Sequence, residues 1–132
     1  MNKVTKEQAQ SEVEAWLDYK KIGSKKRESQ EAQIETLVDA VAEGDLVLNE
    51  DKSFTQKLKF EVGEEIKILE LKYRPRLDMS TIHSKLDGVK SSDGDGRVLA
   101  YVAALTGQVK SVIKKLDSED YSVAQSIAIF FL

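Results

Sequence analysis

The chain predicts an α+β fold, and three observations carry that expectation. Apolar residues recur at helical spacing up to Gly44, the period drops to two between Leu46 and Tyr73, and helical spacing returns from Asp78 onward. The expected architecture is an N-terminal helical hairpin, a small antiparallel sheet of about three strands and a C-terminal cluster of short helices. At 132 residues the chain has room for one domain with a modest core. Residues 1–44 form its helical extension, 45–75 its strands and 76–132 its helical C-terminal part.

Thr5 is a good N-cap, and Val13, Trp16, Leu17 and Tyr19 fall on one stripe, so residues 6–22 should be an amphipathic helix closed by Gly23. From Ser24 a second helix carries Ile34, Leu37, Val38 and Val41 at i, i+3, i+4, i+7 and stops at Gly44. Leu46 and Leu48 open the strand region, Asn49 to Ser53 make a polar turn, and Phe54, Leu58, Phe60 and Val62 form an alternating strand. Gly63-Glu64 turns the chain, and Ile66, Ile68, Leu69, Leu71 and Tyr73 return it, with a phase slip at Ile68-Leu69 that predicts a β-bulge there. Pro75 ends the strand because it has no N–H to give the ladder.

Asp78 should cap a helix whose Met79, Ile82, Leu86 and Val89 share a face. Ser91 to Gly96, polar and glycine-rich, reads as an exposed loop. Three short helices follow: Arg97 to Thr106 ended by Gly107, one carrying Val109, Val112, Ile113 and Leu116, and a last one capped by Asp117 or Ser118.

Hydrophobic residues make up 41% and charged residues 33% of the chain, with a net charge of -3. An acidic balance disfavours binding to nucleic acid through phosphate neutralisation. The run Lys20, Lys21, Lys25, Lys26 and Arg27 reads as a solvated helix junction. With no cysteine there is no disulfide, no thiolate chemistry and no cysteine zinc site, in keeping with a reducing compartment. The first residues lack the apolar core of a signal peptide, and no run approaches the roughly 18 apolar residues that a membrane span needs.

No catalytic constellation is visible. His83, the one histidine, sits beside the Ile82 and Leu86 stripe, where a structural role is expected. Asp93-Gly94-Asp95-Gly96 fails as a calcium loop because Arg97 and Ala104 fall where ligands belong. Asp117, Glu119 and Asp120 open a helix and are explained by capping. The expectation is a non-enzyme without cofactor or metal.

What stands out is apolar helical surface near the C-terminus. Tyr121, Ala124, Ile127, Ala128 and Phe131 line one side of the final helix, and Val123 and Phe130 widen the stripe. Burying such side chains is worth about 1.5–3 kcal/mol each, so either the core takes them or a partner does. The partner surface expected on this ground comprises Trp16, Tyr101, Leu105, Val112, Ile113, Tyr121, Ile127, Phe130 and Phe131. Their sequestration inside a lone monomer would remove that argument. The same excess argues for a homo-oligomer.

Leu105-Thr106-Gly107, the helix Val109 to Leu116, the turn Leu116-Asp117-Ser118-Glu119-Asp120-Tyr121 and the closing Phe130-Phe131-Leu132 resemble the tail assembly chaperones of long-tailed bacteriophages. Upstream, Leu58-Lys59-Phe60, Gly63-Glu64-Glu65-Ile66 and Leu69 to Arg74 resemble that family's β-hairpin, and Arg76 to Asp78 its strand-to-helix step. The helical segment from Thr5 to Gly44 is longer than the usual start of such proteins. The resemblance implies a protein of the host bacterial cytoplasm that coats the tape-measure protein and leaves as tail-tube subunits polymerise, without nucleotide hydrolysis. Tape-measure and tail-tube proteins are then the expected partners, with neither nucleic acid nor membrane. It also implies, in many members, a longer frameshifted product. Two other readings stand beside it. One is a structural tail or head-completion component. The other treats Leu105 to Phe131 as a DNA-binding helix-turn-helix, which the acidic Glu119 and Asp120 disfavour.

Overall fold

A computed structural model describes residues 3–132; the first two residues of the N-terminal stretch lie outside it. In chain order the elements are α1 (Lys6–Tyr19), α2 (Ser24–Ser29), α3 (Glu31–Glu43), β1 (Leu46–Leu48), β2 (Phe54–Val62) and β3 (Ile68–Tyr73). Then come α4 (Met79–Lys85), α5 (Gly94–Thr106), α6 (Lys110–Ile113) and α7 (Ser118–Ala128). The strands form one antiparallel sheet in the order β1-β2-β3, with helices before and after it, so the α+β class stands.

Several predicted boundaries shift, each for a local reason. The Thr5 hydroxyl accepts from the Gln8 N–H and starts α1 as expected, but the helix ends at Tyr19 because Lys21 takes a left-handed φ of 59°. Gly23, the expected stop, is instead the extended N-cap of α2. The predicted second helix is two, broken at Gln30, whose φ of -117° leaves the helical region. Gly44 and Gly107 are left-handed C-caps, as their positions imply. Residues 94–96, expected in a loop, belong to α5, because the Asp93 carboxylate accepts the Gly96 N–H and starts the helix early. A Cβ at Gly96 would collide with that carboxylate, which would have to shift from its capping position.

The N-terminal helices are part of the core. Val13, Trp16 and Leu17 of α1 and Leu37, Val38 and Val41 of α3 are buried in one cluster with Phe54, Leu71 and Tyr73 of the sheet and Leu105 and Ile127 of the later helices. α3 packs on α1 and α7, and α7 also meets α5 and β2. The chain end is thereby enclosed by elements from both ends of the sequence.

Candidate functional site

The structure puts most of the expected partner surface inside the protein. Trp16, Tyr101, Leu105, Ile113, Ile127 and Phe130 are buried, while Val112, Tyr121 and Phe131 are half-buried. The six buried side chains are therefore not a surface that a partner of the folded monomer can touch, and this expectation is corrected. The cause is the N-terminal helical pair, whose packing the local pattern of α7 does not reveal. Trp16 of α1 lies 4.9 Å from Phe54 between ring centroids, 5.9 Å from Phe130 in an edge-on arrangement and 6.1 Å from Phe131. The core, rather than a docking face, takes Trp16 and Phe130.

The rim of this aromatic cluster is cationic. The Lys20 ammonium stands 3.4 Å from the Phe131 ring centroid, and Lys26 Nζ donates to the Leu132 carbonyl at 3.3 Å. Partial burial, followed by Arg76 and Lys26 nearby, lowers the Lys20 pKa to about 8.

Apolar surface stays open elsewhere, on the β2–β3 hairpin. Phe60 is 56% exposed, Leu69 60% and Ile66 84%. Alternation with Phe54, Leu58 and Val62 predicts Phe60 on the buried face, and those three are indeed buried. The exception has a visible cause. Lys57 lies opposite Glu70 and Val62 opposite Ile68, so β2 takes five steps where β3 takes two, and the irregularity falls on β2 rather than at Ile68-Leu69. The backbone N–H groups of Lys59 and Phe60, adjacent in sequence, both donate to the Asp120 carboxylate, at 3.0 and 3.1 Å. Two successive N–H groups aimed the same way break the alternation and release Phe60 outward.

Asp120 thus holds a structural position that the sequence pattern concealed. It is only 2% exposed, and capping falls to Asp117, whose carboxylate accepts the Glu119 N–H at 3.0 Å. The Asp120 carbonyl accepts from Gln56 Nε2 at 3.0 Å, and Gln56 Oε1 accepts from the Tyr73 hydroxyl at 2.5 Å. Burial first, then the Asp120 charge, pushes the Tyr73 pKa well above the usual tyrosine value, so the hydroxyl remains a donor. The whole chain of polar groups ties α7 to β2 and β3. Its only advance signal was an acid one turn into a helix already capped by another acid.

Around the hairpin, Lys57, Lys59, Phe60, Glu61, Lys67 and Leu69 line a shallow trough. Lys67 pairs with Glu61 and Lys59 with Glu119, each at 3.9 Å, so cations and anions there are closely matched. A second depression, between α5, α6 and α7, is lined by Leu99, Ile113, Leu116 and Tyr121 with Asp93 and Asp95 at its edge. Burial and then Asp95 raise the Tyr121 pKa. The exposed residues of α7 are Ser118, Glu119, Ser122 and Gln125, a face with no cation to meet a phosphate backbone.

His83 is exposed on α4. Among the described residues no three His, Asp or Glu side chains gather to hold a metal ion, and no helix is long and apolar enough to cross a membrane. The fold and this surface define a small α+β protein whose most distinctive exposed feature is a bulged, apolar hairpin. No family model, curated protein or solved structure matches the chain.

Proposed function

We propose that this chain is a phage tail assembly chaperone that binds the tape-measure protein and keeps it soluble while the tail tube forms, acting by contact rather than by catalysis in the host bacterial cytoplasm. Tail-tube protein is a second partner in this reading.

The supporting observation is the Asp120 clamp. The two stretches that carry the resemblance, the hairpin and the Leu116 to Asp120 turn, are far apart in sequence, and Asp120 joins them through the Lys59 and Phe60 N–H groups. One physical unit then accounts for both motifs. That unit holds Phe60 in solvent beside Ile66 and Leu69, which gives a client's apolar segments something to meet. The contact surface has accordingly moved from the C-terminal helices to the hairpin.

Co-expression with a tape-measure protein tests the reading. The soluble fraction of the client should rise with the chain present and fall with Phe60→Glu or Ile66→Glu, both at exposed positions that leave the fold intact. A client equally insoluble with and without the chain overturns the proposal.

A further inference from the structure

The far half of β2 has two ways to meet β3. Pairing is regular from Phe54 opposite Tyr73 to Lys57 opposite Glu70. Continued without a break, it sets Leu58 opposite Leu69, Phe60 opposite Lys67 and Val62 opposite Glu65. Gly63-Glu64 is then a two-residue loop with glycine first, the chemistry of a type II′ turn. The fold instead sets Val62 opposite Ile68 and spends residues 63–67 on a wider turn. Hydrogen-bond phase also suits the regular pairing. The Lys57 N–H donates to the Asp45 carbonyl, so Lys57 and, by alternation, Lys59 face the β1 side while Leu58, Phe60 and Val62 face β3. Val62 and Glu65 thus fall on a hydrogen-bonded pair, the kind that closes a two-residue loop.

We propose that the hairpin has this regular pairing as a second state, and that Asp120 selects the bulged one by holding the Phe60 N–H, so that its grip decides whether Phe60 is presented to solvent or withdrawn. In the regular register the Phe60 N–H turns toward β3 to meet the Lys67 carbonyl, and Asp120 keeps only the Lys59 N–H. Phe60 then shares the face of Leu58 and Val62, both buried, and lies diagonal to Leu69.

Opposed terms of similar size separate the two states. Phe60 and Leu69, now more than half exposed, gain apolar neighbours in the regular form. Against this, a carboxylate only 2% exposed gives up one of the two N–H groups it accepts from. Lys67 adds to the bulged side, since its Nζ donates to the Gly63 carbonyl at 2.7 Å and ties the wide turn. A local change at the turn is therefore enough to move the balance, and the hairpin works as a device that shows or hides apolar surface.

The full-length chain carrying Gly63→Asn with Glu64→Gly separates the registers. A Cβ at residue 63 collides with the Ile66 carbonyl oxygen in the wide turn, whereas Asn-Gly is the preferred pair for a two-residue turn. Backbone NMR should find Val62 opposite Glu65 in this variant, with the Hα atoms of Glu61 and Ile66 in the close contact of a non-hydrogen-bonded pair, and a paramagnetic solvent probe should reach Phe60 less. Asp120→Ala should cost the variant clearly less stability than it costs the unaltered chain, because only the Lys59 N–H still needs the carboxylate. A variant that keeps Val62 opposite Ile68 overturns the proposal. So does one that unfolds, since an available second register would accept the asparagine. Equal cost of Asp120→Ala in the two chains overturns the selecting role of Asp120. All of this is read on the chain alone, so its failure leaves the chaperone reading standing, and a client that stays insoluble leaves the second register standing.

Discussion

The C-terminal segment and the β2–β3 hairpin are both rich in large apolar residues, yet one is packed away and the other stands in water. Ile127 and Phe130 are almost fully buried, while Phe60 and Leu69 are more than half exposed. Apolar content does not separate them. The difference lies in what each segment meets. The chain end meets Trp16 and the α1–α3 pair, which supply an apolar wall. Beyond Lys57 the hairpin meets a carboxylate, which takes backbone N–H groups and offers nothing to the side chains. Exposure in this protein is decided by long-range partners, one for each segment.

The largest expected effect comes from removing the wall. Trp16→Ala should destabilise the fold by about 3–5 kcal/mol, the range for deleting a buried aromatic, which is a large part of a small domain's stability. Urea denaturation measures it. Phe60→Ala should move the same curve by no more than about 0.5 kcal/mol, because the side chain is already in water. Equal losses from the two would erase the distinction between the regions.

The second test addresses the clamp. Asp120→Ala leaves the Lys59 and Phe60 N–H groups without their acceptor and should cost about 2–3 kcal/mol, with Asp120→Asn intermediate because one oxygen remains. Hydrogen exchange should accelerate at those two amides far more than in α5. Uniform acceleration across the molecule would show that Asp120 supports the fold generally and has no special hold on the bulge.

A smaller effect is expected one link further along the polar chain. Tyr73→Phe keeps the ring's packing and removes the donor to Gln56 Oε1, for a loss of about 1 kcal/mol. Should Asp120→Ala abolish that loss in a double-mutant cycle, Gln56, Tyr73 and Asp120 act as one unit.

Local chemistry made much of this fold legible. Thr5, Asp78 and Asp117 cap helices, Gly44 and Gly107 end them, and the change of period locates the sheet. Each signal acts within a few residues of the structure it specifies. The helix break at Gln30 and the left-handed Lys21 were hidden because neither residue type announces such backbone geometry. The partner surface was misplaced for a different reason. Ile127 and Phe130 show excess apolar area when the last helices are read alone, and only the tertiary position of Trp16 reveals where that area goes. Phe60 failed in the opposite sense, since its alternation is sound and a carboxylate some sixty residues away overrides it.

The last and smallest effect concerns the boundary of the buried region, where Lys20 lies over Phe131. Its pKa in the fold, about 8, is below the ordinary lysine value of 10.5, with burial as the main cause and Arg76 and Lys26 adding to it. Between those two values the unfolded chain binds more protons than the folded one, so stability contributed by this group rises with pH across that window. Below about pH 8 the penalty for holding the ammonium there is fully present and constant. Tyr73 acts oppositely but later, because its raised pKa lets the unfolded chain lose a proton first only as pH passes about 10. The melting temperature should therefore climb gently from pH 8 toward 10 and then turn down. Lys20→Met should remove the climb and leave the downturn. A climb that persists in Lys20→Met would place the titrating group elsewhere and detach the chain end from this cationic rim.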